Sequence, residues 1–143
     1  MITRNKVLSI TTFIIGTLVI LFLMRRNVKR EVSYYENGQL KHEVILKNGK
    51  YNGLWLDYFE NGGIHARTAF EDGKKNGRNT IYNENGNVHQ ENEFKDDELQ
   101  ISKDYTDDGT LEEIRMYDSL GRIIDKYCYK KDGTRDFSRA KKD

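Results

Sequence analysis

Apolar and polar residues alternate along this chain in short runs. Over 39–47, Leu40, Val44 and Leu46 share one side while Lys41, Glu43 and Lys47 take the other. Over 64–71, Ile64 and Phe70 oppose His65 and Arg67; over 87–95, Val88 and Phe94 oppose His89, Glu91, Glu93 and Lys95. A period of two marks a strand whose faces meet different surroundings. The pattern predicts strands near 32–36, 39–47, 54–59, 64–71, 78–83, 87–95, 99–106, 110–118 and 122–130. It also predicts a sheet with one apolar and one charged face. Sheet curvature, folding over or a partner must then cover the apolar side.

Glycines divide these runs at a fixed period. Tyr34-Tyr35-Glu36-Asn37-Gly38 returns as Tyr58-Phe59-Glu60-Asn61-Gly62 and again as Tyr82-Asn83-Glu84-Asn85-Gly86, each 24 positions on. Between them, Asn48-Gly49-Lys50 and Asn52-Gly53 recur as Asp72-Gly73-Lys74 and Asn76-Gly77. Later, Tyr105, Tyr117 and Tyr129 each open a five-residue string ending in glycine, now 12 apart. Asn-Gly and Asp-Gly tolerate the positive φ that tight hairpin turns require, so each repeat reads as one hairpin added to the edge left by the last. The expected fold is all-β: an open antiparallel meander sheet built from hairpin repeats.

The first 30 residues differ. Positions 7–24 hold no charge, and as a helix would span about 27 Å, close to the hydrocarbon thickness of a bilayer. No small-residue cleavage site follows, so the segment reads as an uncleaved, single-pass transmembrane anchor. Arg25, Arg26, Lys29 and Arg30 flank it on the C-terminal side. The flanking charge places the repeat domain in the cytoplasm of a bacterial inner-membrane protein, with the periplasm left open. The expected division is a basic-flanked anchor at 1–30, a hairpin repeat domain at 31–134 and a charged tail at 135–143.

Charge narrows the partners. Residues 1–30 contain six Lys/Arg and no acid. The other 113 residues carry 18 Lys/Arg (24 in the chain less those six) against all 23 Asp/Glu, a net of −5. That sign disfavours nucleic acid, whose phosphates need cations. Cys128 is the single cysteine, which excludes an intramolecular disulfide.

The string Gly49-Lys50-Tyr51-Asn52-Gly53-Leu54-Trp55-Leu56-Asp57-Tyr58 resembles the bacterial variant of the MORN repeat. Its alternation with Tyr34-Tyr35-Glu36-Asn37-Gly38 is similar to the YwqK family, described as antitoxin or immunity proteins. From Tyr105 onward the spacing resembles the tyrosine-aspartate (RHS-type) repeats of large wrapping toxins. The resemblance implies a repeat-built sheet used for binding, without catalytic residues or cofactor. Departures stand at Asn79, where Trp55 has its counterpart, and at Asp97, where a turn glycine belongs.

Motifs for chemistry are missing from the sequence. It has no Gly-x-Ser-x-Gly elbow, no phosphate-cradling glycine loop and no paired-cysteine knuckle. His65 and His89 hold equivalent repeat positions, but equivalent strands lie about 10 Å apart, too far to share a zinc ion. The run from Asp104 to Gly109 lacks the acids of a calcium loop, with Thr106 and Arg115 at two of its ligand positions. The expectation is therefore no enzyme, no metal, no cofactor and no small-molecule substrate. Tyr34, Trp55, Tyr58, Phe59 and Tyr82 are the candidate partner-binding residues, because aromatics on an open sheet bring large contact area. The expected partner is a protein, either a toxin or a subunit of a membrane complex. Membrane contact falls to 7–24. The alternative role is a small structural accessory subunit of an envelope complex.

Overall fold

The computed structural model describes residues 13–18 and 27–139. Residues 13–18 are helical, and the rest is one sheet. Its strands are β1 (Val28–Tyr34), β2 (Leu40–Lys47), β3 (Lys50–Tyr51), β4 (Gly53–Tyr58), β5 (Ile64–Glu71), β6 (Lys74–Tyr82), β7 (Val88–Lys95), β8 (Glu98–Tyr105), β9 (Leu111–Tyr117) and β10 (Ile123–Cys128). Spatial order follows chain order, with the two-residue β3 set beside β2. Sequential tight turns make neighbours antiparallel, and the extensive strand contacts run between sheet neighbours. The expected open meander is the fold.

Two turn types alternate as far as Thr106, after which only the second recurs. Asn48-Gly49, Asp72-Gly73 and Asp96-Asp97 have both residues at positive φ, 54 and 75, 49 and 91, and 52 and 73 degrees. This is the mirror-image geometry that matches strand twist. Asp97 occupies it without glycine's freedom. Its N–H donates to the Lys75 carbonyl at 2.9 Å, and its Oδ1 accepts the Lys75 N–H at 2.8 Å. The other turn type closes Tyr35 N–H on the Gln39 carbonyl at 2.8 Å, with Asn37 Oδ1 accepting the Gln39 N–H at 2.9 Å. The same closure recurs at Phe59, Asn83, Thr106, Asp118 and Lys130.

A register shift accompanies these turns, falling next to Tyr34, Tyr58, Tyr82 and Tyr105. Lys41, His65, His89 and Glu112 are the residues skipped in the pairing. Such bulges break strict alternation. They correct the expected division of faces in part: Val44, Leu46, Phe70 and Phe94 share one face as expected, whereas Leu40, Ile64 and Val88, beyond the bulges, pair with Tyr34, Tyr58 and Tyr82 on the other. Across the sheet, Trp55, Thr68, Asn79, Asn92, Ser102, Arg115 and Lys126 pair in succession, so they share one face. Beside them on that face run Ser33, His42, Asp57, Ala66, Ile81, Gln90, Asp104, Glu113 and Cys128. This inner face holds Ala66, Thr68, Asn92, Ser102 and Cys128, all buried. With buried Val44, and with Leu46, Phe70 and Phe94 on the same side, the inner face thus combines apolar packing with a hydrogen-bonded polar row. Val28, Val32, Ile45 and Leu54, by contrast, are exposed on the outer face.

Two boundaries also move. β1 starts at Val28, so it takes in Lys29 and Arg30, which were expected to flank an anchor. The cause is β2, which runs to Lys47 and offers a partner to each residue back to Val28. At the far end, residues of the expected charged tail fold back on the sheet. Arg135 bridges Tyr129, Asp136 N–H donates to the Cys128 carbonyl at 2.7 Å, and Arg139 pairs Glu112 at 3.2 Å. The uncharged 7–24 segment lies, apart from 13–18, outside the described residues, as do Arg25 and Arg26. Among the described residues no helix is long and apolar enough to cross a membrane.

Candidate functional site

The expected aromatic patch divides into separate local groups. Trp55, half-buried on β4, sits edge-on to Tyr51 at 5.0 Å, with His42 at 5.2 Å and Phe70 at 6.0 Å. Its indole N–H donates to Asp57 Oδ1 at 2.9 Å. Phe59 stacks instead on His65, 4.6 Å away, beyond the bulge. Trp55 and Phe59 thus have separate ring neighbours, Tyr51, His42 and Phe70 for the one and His65 for the other.

The tyrosines do not form a free column either. Tyr34 is exposed. Tyr58 donates its hydroxyl to Glu43 Oε1 at 3.4 Å, while Arg30 pairs with the same carboxylate. Tyr82 lies under the Arg67 guanidinium, 5.7 Å from ring centre. Tyr105, absent from the expected set, donates to Glu91 Oε2 at 3.1 Å. Each of the last three thus reaches back to the same repeat slot, 43, 67 or 91. Burial, and then the neighbouring Glu43 or Glu91 carboxylate, pushes the Tyr58 and Tyr105 phenols above their ordinary pKa. Tyr35 ties adjacent repeats through a 2.7 Å bond to the Tyr58 carbonyl.

Sequence reasoning missed the inner-face polar chain. Asn79 donates to Thr68 Oγ1 at 2.9 Å; Asn92 donates to Asn79 Oδ1 at 3.0 Å and to Gln90 Oε1 at 2.8 Å. Gln90 donates to Asp104 at 2.7 Å, and Asp104 pairs with Arg115. Arg115 and Lys126 then meet Glu113 at 3.1 and 2.7 Å. A signal existed: Val44, Thr68 and Asn92 are 24 apart, and all three are buried. Cys128 ends the row, buried against Glu113 at 3.6 Å, and burial pushes its thiol pKa up.

On the outer face charges pair across strands, as Arg78 does with Glu93 at 3.1 Å and Glu91 at 3.7 Å. His65 and His89 are exposed bulge residues, and among the described residues no group is arranged to hold a metal. Thr106 donates to Asp108 at 2.5 Å, so the Asp104–Gly109 run closes a turn. That bond, with a second from Thr110, holds the Asp108 carboxyl well below the usual range. An open groove of about 530 Å³ lies near the C-terminal turns, but its charges pair internally, Lys131 with Asp108 at 3.4 Å and Arg139 with Glu112.

These features define an open β-hairpin repeat protein. The family described as the MORN repeat variant matches at residues 29–48 and 75–96, which are β1–β2 and β6–β7 with their turns. No curated protein matches the chain. Among solved structures, the chain is similar to one in the crystal structure of accessory secretory protein 1,2 and 3 in Streptococcus pneumoniae, at 18% identity and a TM-score of 0.31. The match covers 73% of this chain and 18% of that one, so the chain spans about a fifth of its relative's length.

Proposed function

We propose that this is a membrane-anchored, non-enzymatic protein-binding module of the antitoxin or immunity kind. The observation that supports binding is the single-layer sheet with exposed apolar side chains, Tyr34, Val28, Val32 and Leu54, on a scaffold of MORN-variant repeats. The anchor rests on the 18 uncharged residues at 7–24 and the basic Arg25 and Arg26 behind them. By the same flanking charge the sheet belongs on the cytoplasmic side. Protease accessibility in intact cells tests that placement: degradation from outside refutes it.

Affinity capture of the full-length protein from mild detergent tests the binding role. A specific protein partner should be retained and then lost on Tyr34→Ala or Phe59→Ala, with the melting transition preserved. Normal capture by both variants sinks the proposed surface. The uncharged segment also favours a second reading, an accessory subunit recruited through its anchor. Removing residues 1–26 leaves β1 intact and separates the two: the module still captures its partner, whereas an anchor-recruited subunit does not.

A further inference from the structure

Among the described residues β1 pairs only with β2, so it is an edge of the sheet. In an antiparallel ladder, alternate residues bond towards the neighbour. Asn48 N–H donates to the Asn27 carbonyl at 2.8 Å, and the register continues as Val28 opposite Lys47. The inward set is therefore Asn27, Lys29 and Glu31. Val28, Arg30 and Val32 turn their N–H and C=O groups outward. Two of the usual protections of an edge strand, proline and a bulge, are missing from Val28 to Ser33, and the charges on the strand are paired within the chain, Arg30 with Glu43. The one lysine, Lys29, is neutralised by Glu31 at 2.7 Å.

The strand reads Val28-Lys29-Arg30-Glu31-Val32, and this order complements itself when reversed. Place a second copy antiparallel, with a two-fold axis through Arg30. Val28 then lies opposite Val32 of the second copy, and Lys29 opposite Glu31 of the second copy, each twice. Arg30 meets its own symmetry mate, but each is already paired with Glu43 of its own chain. On the outer face Val28 and Val32 are 50% and 39% exposed, beside exposed Ile45 and Leu54. The second copy sets an identical strip against this one and carries the apolar band across the axis.

We infer that the protein self-associates through β1, joining two sheets into one continuous sheet by an isologous edge contact. This is independent of which protein the remaining surface binds. A strand from another protein would satisfy the backbone but would not account for the self-complementary charges.

The test is the mass of the full-length protein in mild detergent, by light scattering after correction for bound detergent. The wild type should be a dimer. Lys29→Glu or Glu31→Lys puts two like-charge pairs across the axis and should weaken association about tenfold or more. The double reversal, Lys29→Glu with Glu31→Lys, should restore it. Val32→Pro removes an outward N–H while sparing the β1–β2 ladder, and should give a monomer with unchanged circular dichroism. A monomeric wild type, a dimer that survives Val32→Pro, or a double reversal that fails to re-associate overturns the inference.

Discussion

Replacing Asn92 by alanine tests whether the inner-face polar row holds the sheet together. Asn92 is 7% exposed and donates to Asn79 Oδ1 at 3.0 Å and Gln90 Oε1 at 2.8 Å. The substitution removes both bonds and strands two acceptors. At about 1 kcal/mol for each bond and something more for the acceptors, the loss is about 2–3 kcal/mol. For a domain of this size that lowers the melting temperature by roughly 10 °C or more. Urea unfolding followed by the fluorescence of Trp55, the chain's one tryptophan, measures it, with His89→Ala on the exposed side of β7 as control. Asn92→Asp adds a sign. Its carboxylate would face two amide oxygens in a buried site, so its folded-state pKa is raised above the unfolded value near ~4. Its protonated form favours the fold, and stability is greatest below that value and falls as pH rises through the folded pKa. An Asn92→Ala protein within about 0.5 kcal/mol of wild type, or an Asn92→Asp protein that gains stability with pH, refutes the network's role.

Three further outcomes follow from the geometry. Gly73 sits at φ +91 with its N–H donated to the Tyr51 carbonyl, so Gly73→Ala should cost about 1–2 kcal/mol in chemical denaturation, through backbone strain alone, since a Cβ there has room. The Tyr58 and Tyr105 phenols titrate above their ordinary value, so their stabilisation is complete below about pH 10 and is lost as pH rises through the folded pKa. Ultraviolet phenolate absorbance alongside circular dichroism should show unfolding coupled to their ionisation. The Cys128 thiol, 1% exposed, should resist alkylation until the sheet opens, its labelling rate tracking urea concentration through the unfolding transition.

Chain-local information determined much of this fold. The 24-residue spacing of Tyr-x-Glu-Asn-Gly strings, with Asn-Gly or Asp-Gly halfway, specifies two tight turns per unit, and tight turns leave consecutive strands no choice but antiparallel pairing. Strands β5 and β7 accordingly fall within a residue of their expected bounds. Where the alternation between faces breaks was decided only in three dimensions. Five of the six turns of the Tyr35 type carry a bulge, and the skipped residue turns over the position beyond it: Leu40, Ile64 and Val88 pair with outer-face Tyr34, Tyr58 and Tyr82, while Val44, Leu46, Phe70 and Phe94 of the same runs keep the inner face. Register across strands then lines up Thr68, Asn79, Asn92 and Ser102, a polar row that no window of sequence contains because its members come from four strands. Alternation is a property of one strand; burial belongs to the neighbours that pairing brings alongside.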